Sequence, residues 1–316
     1  MLEPNKDIII IPDVHGRTFW KEATARFPEG EFVFLGDYLD PYYIDEILNH
    51  ITSESALNNF REILAFAKDN PGRVTLLLGN HDCEYLYGRN VCDCRCDDDR
   101  YDIIRKLFRD NKDLFEMAAE ALLGKKHFVF VHAGISIEWM DRHVEGWTPD
   151  NLVGRLNTLN REALSSERPE DSPFASALSE RDRERSGDLD YASPIWIDAE
   201  TLNRGYQLCD IYQVVGHSAI RYMEPVITSR VFYTDCMKAL RLDEDGVLRN
   251  LDGKRCVNRD KNPFAPMANG YDCHLFGDDA FSRPYCRTCG SHNIYVRGGV
   301  MADHWYCRDC GKDEVI

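Results

Sequence analysis

Six short apolar runs in this sequence each stop abruptly at residues able to ligate a metal or move a proton. Ile8–Ile11 runs into Asp13-Val14-His15-Gly16, Phe32–Leu35 into Gly36-Asp37-Tyr38-Leu39-Asp40, and Val74–Leu78 into Gly79-Asn80-His81-Asp82. Phe128–Val131 leads to His132-Ala133-Gly134, Ile211–Val215 to Gly216-His217-Ser218, and Val231–Tyr233 to Thr234-Asp235-Cys236. Hydrolysing a phosphate ester without a covalent intermediate needs a strong nucleophile at neutral pH and positive charge against the transferring oxygens. Two metal ions about 3.5–4 Å apart provide both. Such a centre needs a carboxylate able to bridge the ions, further His or Asp ligands, and often a neutral oxygen ligand. Asp13, His15, Asp37, Asn80, His132 and His217 make up that inventory. Mixed imidazole and oxygen ligands favour manganese, iron or zinc over an all-oxygen magnesium or calcium cage. Taken one at a time these residues are weak signals, because a lone His after a strand is more often a hydrogen-bonded loop residue than a ligand. Asp235 and Cys236 read as a turn residue and a buried thiol.

The elements that must position these residues follow from the pattern itself. β-branched runs of strand length alternate with helical stretches, the clearest being Ser55–Ala67 with Ala56, Leu57, Phe60, Ile63, Leu64 and Ala67 at helical spacing. Strands alternating with helices predict an α/β domain whose site lies on the loops at the strand ends. Two segments interrupt the alternation: the acidic, cysteine-rich Cys92–Arg100 and the mixed-charge Ser165–Asp190. Both read as surface insertions near the site. The turn-rich stretch Asn258–Pro284 reads as a link to a small C-terminal unit, and there is no internal repeat.

Asp13-x-His15, Gly36-Asp37, Gly79-Asn80-His81-Asp82, His132 and Gly216-His217, in this order, resemble the calcineurin-like metallophosphoesterases over roughly residues 7–240. Gly36-Asp-Tyr-Leu-Asp40, Val131-His-Ala-Gly-Ile135 and Pro194-Ile-Trp-Ile-Asp198 look most like the phosphoprotein phosphatase branch, which includes Ser/Thr phosphatases and diadenosine tetraphosphatases. The resemblance implies a β-sandwich flanked by helices. It implies that Asp13, His15 and Asp37 hold one metal and that Asp37, Asn80, His132 and His217 hold a second, with Asp37 bridging. It further implies a metal-bridging hydroxide as nucleophile, with His81 protonating the leaving oxygen and Asp40 orienting His81; a carboxylate contact fixes the tautomer and raises the basicity of an imidazole. Two departures stand out. The arginine that usually follows the second Asp is replaced by Pro41 and Tyr42-Tyr43, so a substitute phosphate clamp is expected from Arg185, ahead of Arg204. Gly216-His217-Ser218 lacks a second His, which favours the phosphatase branch over nuclease-like relatives.

Cys286-Arg-Thr-Cys289-Gly and Cys307-Arg-Asp-Cys310-Gly are two knuckles separated by 17 residues, the spacing of a four-cysteine structural zinc site. A segment of about 35 residues cannot fold on its own core, so the metal would supply much of its folding free energy. The expected organisation is therefore a catalytic domain over 1–280 and a zinc ribbon over 281–316. A thioredoxin-like redox reading lacks its βαβ context. Cys83, Cys92, Cys94 and Cys96 could also bind metal, but an irregular run beside three aspartates reads better as an exposed loop with incidental thiols.

Composition sets the bounds. Among 316 residues, 38 Lys and Arg face 54 Asp and Glu, a net charge of −16 that disfavours non-specific nucleic-acid binding. No apolar run approaches the roughly 20 residues of a membrane span, and the N-terminus has no secretory pattern, so a cytoplasmic location with reduced thiols is expected. The expected activity is metal-dependent hydrolysis of a phosphorylated protein or small phosphomonoester, with manganese favoured and a protein partner docking on the ribbon. The alternatives are a dinucleoside polyphosphate hydrolase, an RNA-end phosphatase or nuclease gripping through the arginines of the ribbon, and a non-catalytic module that binds a phosphorylated partner. An intact ligand set argues against the last.

Overall fold

The computed structural model describes Leu2 and residues 6–257, apart from 43–44, 46–49, 90, 204–207, 209–210 and 221–223. Beyond residue 257 it describes only the backbone of five strands.

The chain opens with β1 (Ile8–Ile11), α1 (Phe19–Arg26), β2 (Glu31–Phe34), α2 (Ser53–Asp69), β3 (Val74–Leu77), α3 (Asn80–Leu86), α4 (Tyr101–Asp110) and β4 (Phe115–Glu116). It continues with the hairpin β5 (Ala118–Leu123) and β6 (Lys126–Val131), then α5 (Ile137–His143), α6 (Leu152–Ser165), α7 (Pro173–Leu178) and α8 (Ala199–Asn203). Then come β7 (Ile211–Val215), β8 (Val226–Ile227), β9 (Val231–Tyr233), β10 (Leu240–Leu242) and β11 (Leu248–Asn250). Two mixed sheets result. One runs β11-β10-β1-β2-β3-β4 with a parallel centre, and the other runs β5-β6-β7-β9-β8. The late strands β12 (Phe276–Asp278) and β13 (Pro284–Cys286) pair with each other, while β14 (Ile294–Gly298), β15 (Asp303–Cys307) and β16 (Asp313–Val315) form a separate three-stranded sheet.

Why β1 and β2 run at the centre follows from their composition. Every residue of both strands is buried, as expected of parallel strands covered on both faces. Ile11 lies opposite Phe34, and Phe34 opposite Leu76, so the three parallel strands end level with one another. In the second sheet Phe130 lies opposite Val214, which sets His132 beside Gly216. The polar residues that follow these strands are thus delivered to a common edge.

The helix read over 55–67 is α2, extended to Ser53–Asp69. Thr52 caps it, with the Ser55 N–H donating to Thr52 Oγ1 at 3.1 Å and the Thr52 N–H donating to Ser55 Oγ at 2.9 Å. Its apolar stripe puts Phe60 against Tyr38 and Phe108, with ring centroids 5.2 and 4.6 Å apart. Trp20 Nε1 donates to the buried Asn59 Oδ1 at 3.0 Å, so the polar residue on that stripe is satisfied.

Two expectations need correcting. Ser165–Asp190 is not simply a surface insertion: it contributes α7 and buries Phe174, Leu178 and Asp182. The loop after residue 91 is not an exposed run of incidental thiols either, since Cys83 and Cys92 are fully buried and Cys94 and Cys96 half-buried. Among the described residues, no helix is long and apolar enough to cross a membrane.

Candidate active site

The candidate metal ligands, His81 and Asp40 follow closely on the strands, Asn80 and His81 opening α3 and the others on turns, and His15, Asp37, Asp40 and His217 all adopt left-handed backbone with φ of 43°, 50°, 58° and 61°. Such conformations are costly for residues with a Cβ and persist where surrounding bonds over-determine them. Here the Val14 and His15 N–H groups donate to Asp37 O at 3.0 and 2.7 Å, and Gly216 N–H donates to His132 O at 2.7 Å. Asp82, whose role was not legible in the sequence, ties the turns together. Its Oδ2 accepts from the Asp37 and Gly79 N–H groups at 2.7 and 2.8 Å, and its Oδ1 from the Tyr38 N–H at 3.1 Å. Asp82 is fully buried; burial pushes its pKa up to about 6, against those three backbone donors.

Asp13, Asp37 and His132, all buried, offer ligand atoms within 4.8 Å of one another. His15 Nδ1 donates to Leu39 O at 2.9 Å, which leaves Nε2 as the free lone pair, 3.6 Å from Asp37 Oδ2. His132 is held the same way: Nδ1 donates to Leu35 O at 2.7 Å, and Nε2 lies 3.7 Å from the same Asp37 oxygen. Asp37 Oδ2 therefore lies between an imidazole from the first sheet's turns and one from the second sheet. On the second side, His132 Nε2, Asn80 Oδ1 and His217 Nδ1 form a triangle with sides of 3.0, 3.1 and 3.2 Å. The six residues expected from the sequence are thus brought together.

This donor set fits divalent metal. Burial, followed by the positive charges of His81, Arg17 and Arg95, holds His15 well below the usual imidazole value. Burial followed by Arg185, His132 and His81 does the same for His217. Both rings are therefore neutral, as ligands must be. Burial pushes the Asp37 carboxyl well above its ordinary value; His81 counters, while Asp13 and Asp82 add to the rise. A carboxylate so placed needs nearby positive charge to ionise. Two glycines leave room for it: a Cβ on Gly79 would run into Asp37 Oδ1 and His132 Cε1, and one on Gly216 into Asp13 Oδ1.

Beside this cluster, His81 Nδ1 donates to Asp40 Oδ2 at 3.0 Å, and Tyr85 Oη donates to Asp40 Oδ1 at 2.6 Å. Asp40 thus accepts on both oxygens and fixes the His81 ring. His81 is also tied to the cluster of candidate ligands, because its N–H donates to Asp37 Oδ1 at 3.1 Å.

Arg185 lies at the rim, with Nη2 donating to Ser218 Oγ at 3.1 Å and Nε 3.0 Å from Asp198 Oδ2. Arg204 lies outside the described residues. Sequence reasoning missed Arg95, which donates to Asp40 O at 2.5 Å and Pro41 O at 2.8 Å and stacks over Tyr42, 4.3 Å from the ring centroid. Its only sequence signal was an arginine set between Cys94 and Cys96 in the cysteine-rich insertion. Of the expected zinc ligands, Cys289 and Cys310 lie outside the described residues, and only the backbone of Cys286 and Cys307 is described.

The chain belongs to the calcineurin-like phosphoesterase family, whose model matches residues 6–218. Among solved structures it is similar to a cold-active protein-tyrosine phosphatase of a psychrophilic Shewanella species, at 21% identity over 79% of this chain and 80% of that one, with a TM-score of 0.47. A protein serine/threonine phosphatase from Saccharomyces cerevisiae matches at 11% identity over 83% of each chain, with a TM-score of 0.42. A phosphoesterase from E. coli matches at 12% identity over 79% of this chain and 97% of that one, with a TM-score of 0.35.

Proposed function

We propose that this protein is a metal-dependent phosphomonoester hydrolase built on a metallophosphoesterase β-sandwich. The observation that carries the reading is the convergence of Asp13, His15, Asp37, Asn80, His132 and His217 beside the His81–Asp40 pair. Asp13, His15 and Asp37 would hold one divalent metal and Asp37, Asn80, His132 and His217 a second, with manganese favoured. Bound there, the metals would lower the pKa of water and neutralise charge on the phosphoryl oxygens.

The chain's own groups do the rest. The hydrogen bonds from His15 and His132 to backbone carbonyls hold each free nitrogen towards Asp37, so the ligand geometry is set before substrate arrives. Asp40 holds Nδ1 of His81 and fixes the ring, leaving Nε2 to donate the proton that the departing alkoxide needs. Arg185, anchored by Asp198 and Ser218, supplies positive charge for the phosphate at the rim. On this reading the segment over 281–316 would form a four-cysteine zinc ribbon and dock a protein partner.

The test turns on the leaving group. General acid catalysis contributes roughly 10²–10⁴-fold, and an alkoxide needs the proton while a nitrophenolate does not. His81→Ala should therefore slow alkyl phosphate hydrolysis by about that factor and aryl phosphate hydrolysis by clearly less, with metal content unchanged. Equal slowing of both substrates, or loss of a metal, would exclude His81 as the acid.

A further inference from the structure

The orientation of the Asn80 side chain is a problem that the metal ligands alone do not solve. With Nδ1 of His132 occupied by Leu35 O, its Nε2 presents a lone pair to Asn80 at 3.0 Å. In the metal-free protein that lone pair would be better met by the amide N–H₂ than by the amide oxygen, so the flipped side chain competes with the one able to bind metal. A partner for Nδ2 on the far side decides the balance.

That partner is a thiol. Asn80 Nδ2 donates to Cys94 Sγ at 3.2 Å, while the Cys94 S–H points to Cys92 O at 3.6 Å, leaving the sulfur lone pairs for the amide. The segment carrying Cys94 is held at several points. The Cys92 N–H donates to Glu84 Oε2 at 2.9 Å, and Arg181 Nη2 donates to the carbonyls of Cys92 and Asp93. Arg95 grips the carbonyls of Asp40 and Pro41, and the Asp97 N–H donates to Tyr85 Oη at 2.7 Å, on the hydroxyl that itself donates to Asp40. The cysteine-rich loop therefore reaches both the proposed ligand Asn80 and the proposed acid dyad.

We infer that Cys94 is a positioning residue: its sulfur, presented by this loop, holds the Asn80 amide with Oδ1 facing His132 and His217 and so sets the affinity of the second metal position. The inference rests on the reading of Asn80 as a ligand. A thiol is a weak acceptor, but it need only outweigh the alternative orientation, and partners of metal ligands commonly change affinity by about 10–100-fold.

The experiment is calorimetric titration of the metal-stripped full chain with Mn²⁺. Cys94→Ala should weaken the second binding step by about 10–100-fold and leave the first within about threefold. Cys94→Ser, which restores an acceptor, should recover most of the loss. Asn80→Asp has no N–H₂ to misplace, so adding Cys94→Ala to it should change nothing further, and this cycle separates orientation from packing. The inference is overturned if Cys94→Ala binds like the unmodified protein, if serine is as poor as alanine, or if Cys94→Ala costs as much in the Asn80→Asp background. Asn80→Ala serves as the control: if it binds both ions normally, the ligand assignment itself fails, and that outcome is distinct from the other three.

Discussion

Asn80 Oδ1, His132 Nε2 and His217 Nδ1 lie 3.0–3.2 Å apart with at most one proton among them when the rings are neutral. A cation relieves that crowding, and the titration behaviour of the neighbours predicts what its arrival displaces. His15 and His217 are held well below their ordinary value while burial pushes the Asp37 carboxyl well above its own, so Asp37 is the group whose proton a cation would displace. Metal uptake should therefore expel a proton from Asp37. Acid favours the protonated, metal-free form, so apparent affinity should fall as pH falls, by up to about tenfold per unit for each proton released. Titrations in buffers of different ionisation heat measure the release directly; an enthalpy independent of buffer would contradict it. The glycines make a second prediction at this scale. Gly79→Ala forces a methyl onto Asp37 Oδ1 and His132 Cε1. It should strip metal while costing about 1–3 kcal/mol of stability from overpacking, which metal analysis beside thermal melting would show. A variant that keeps its metal would mean that the turns can relax around the methyl.

At the scale of elements, the turns beyond β1, β2 and β3 are coupled through one carboxylate. Asp82→Asn retains one oxygen but turns an N–H₂ towards a backbone N–H, so one of the Asp37, Gly79 or Tyr38 donors loses its acceptor. The expected cost is about 3 kcal/mol, a fall in Tm of roughly 6–12 °C for a domain of this size, accompanied by weaker metal binding. A variant that melts normally would mean that the three turns hold without it. The same elements show what was legible beforehand. Apolar β-branched runs ending at Asp, His or Asn announced β1, β2, β3, β6, β7 and β9, because strand propensity and function coincide there. β5 was not legible: Ala-Ala-Glu-Ala-Leu-Leu favours helix, and only its antiparallel pairing with β6 makes it a strand. The cysteine-rich loop was misjudged for a related reason. Its aspartates signal exposure, while the burial of Cys92 and the grip of Arg95 and Arg181 depend on partners distant in sequence.

At the scale of the whole molecule, every proposed catalytic group lies between Asp13 and His217, and among the described residues the buried core runs as far as Cys256. Neither β12–β13 nor the sheet of β14, β15 and β16 adds a strand to the two large sheets. A chain ending at residue 257 should therefore keep β10 and β11, which complete the first sheet through the pairing of Ile8 with Leu242 and of Leu242 with Leu248. Removing the C-terminal 59 residues, 258–316 of 316, takes away the four cysteines of the expected ribbon and none of the catalytic candidates. Aryl phosphate turnover and manganese content should then match the full chain within about twofold, while one tightly held zinc disappears from elemental analysis. Cys289→Ser should lose the same zinc without truncation, because a structural site needs all four thiolates. If the ribbon docks protein partners, dephosphorylation of a folded phosphoprotein should suffer in both variants while a small aryl phosphate does not. Parallel loss on both substrates would instead mean that the C-terminal segment supports the catalytic turns, and the boundary drawn near residue 280 would have to move.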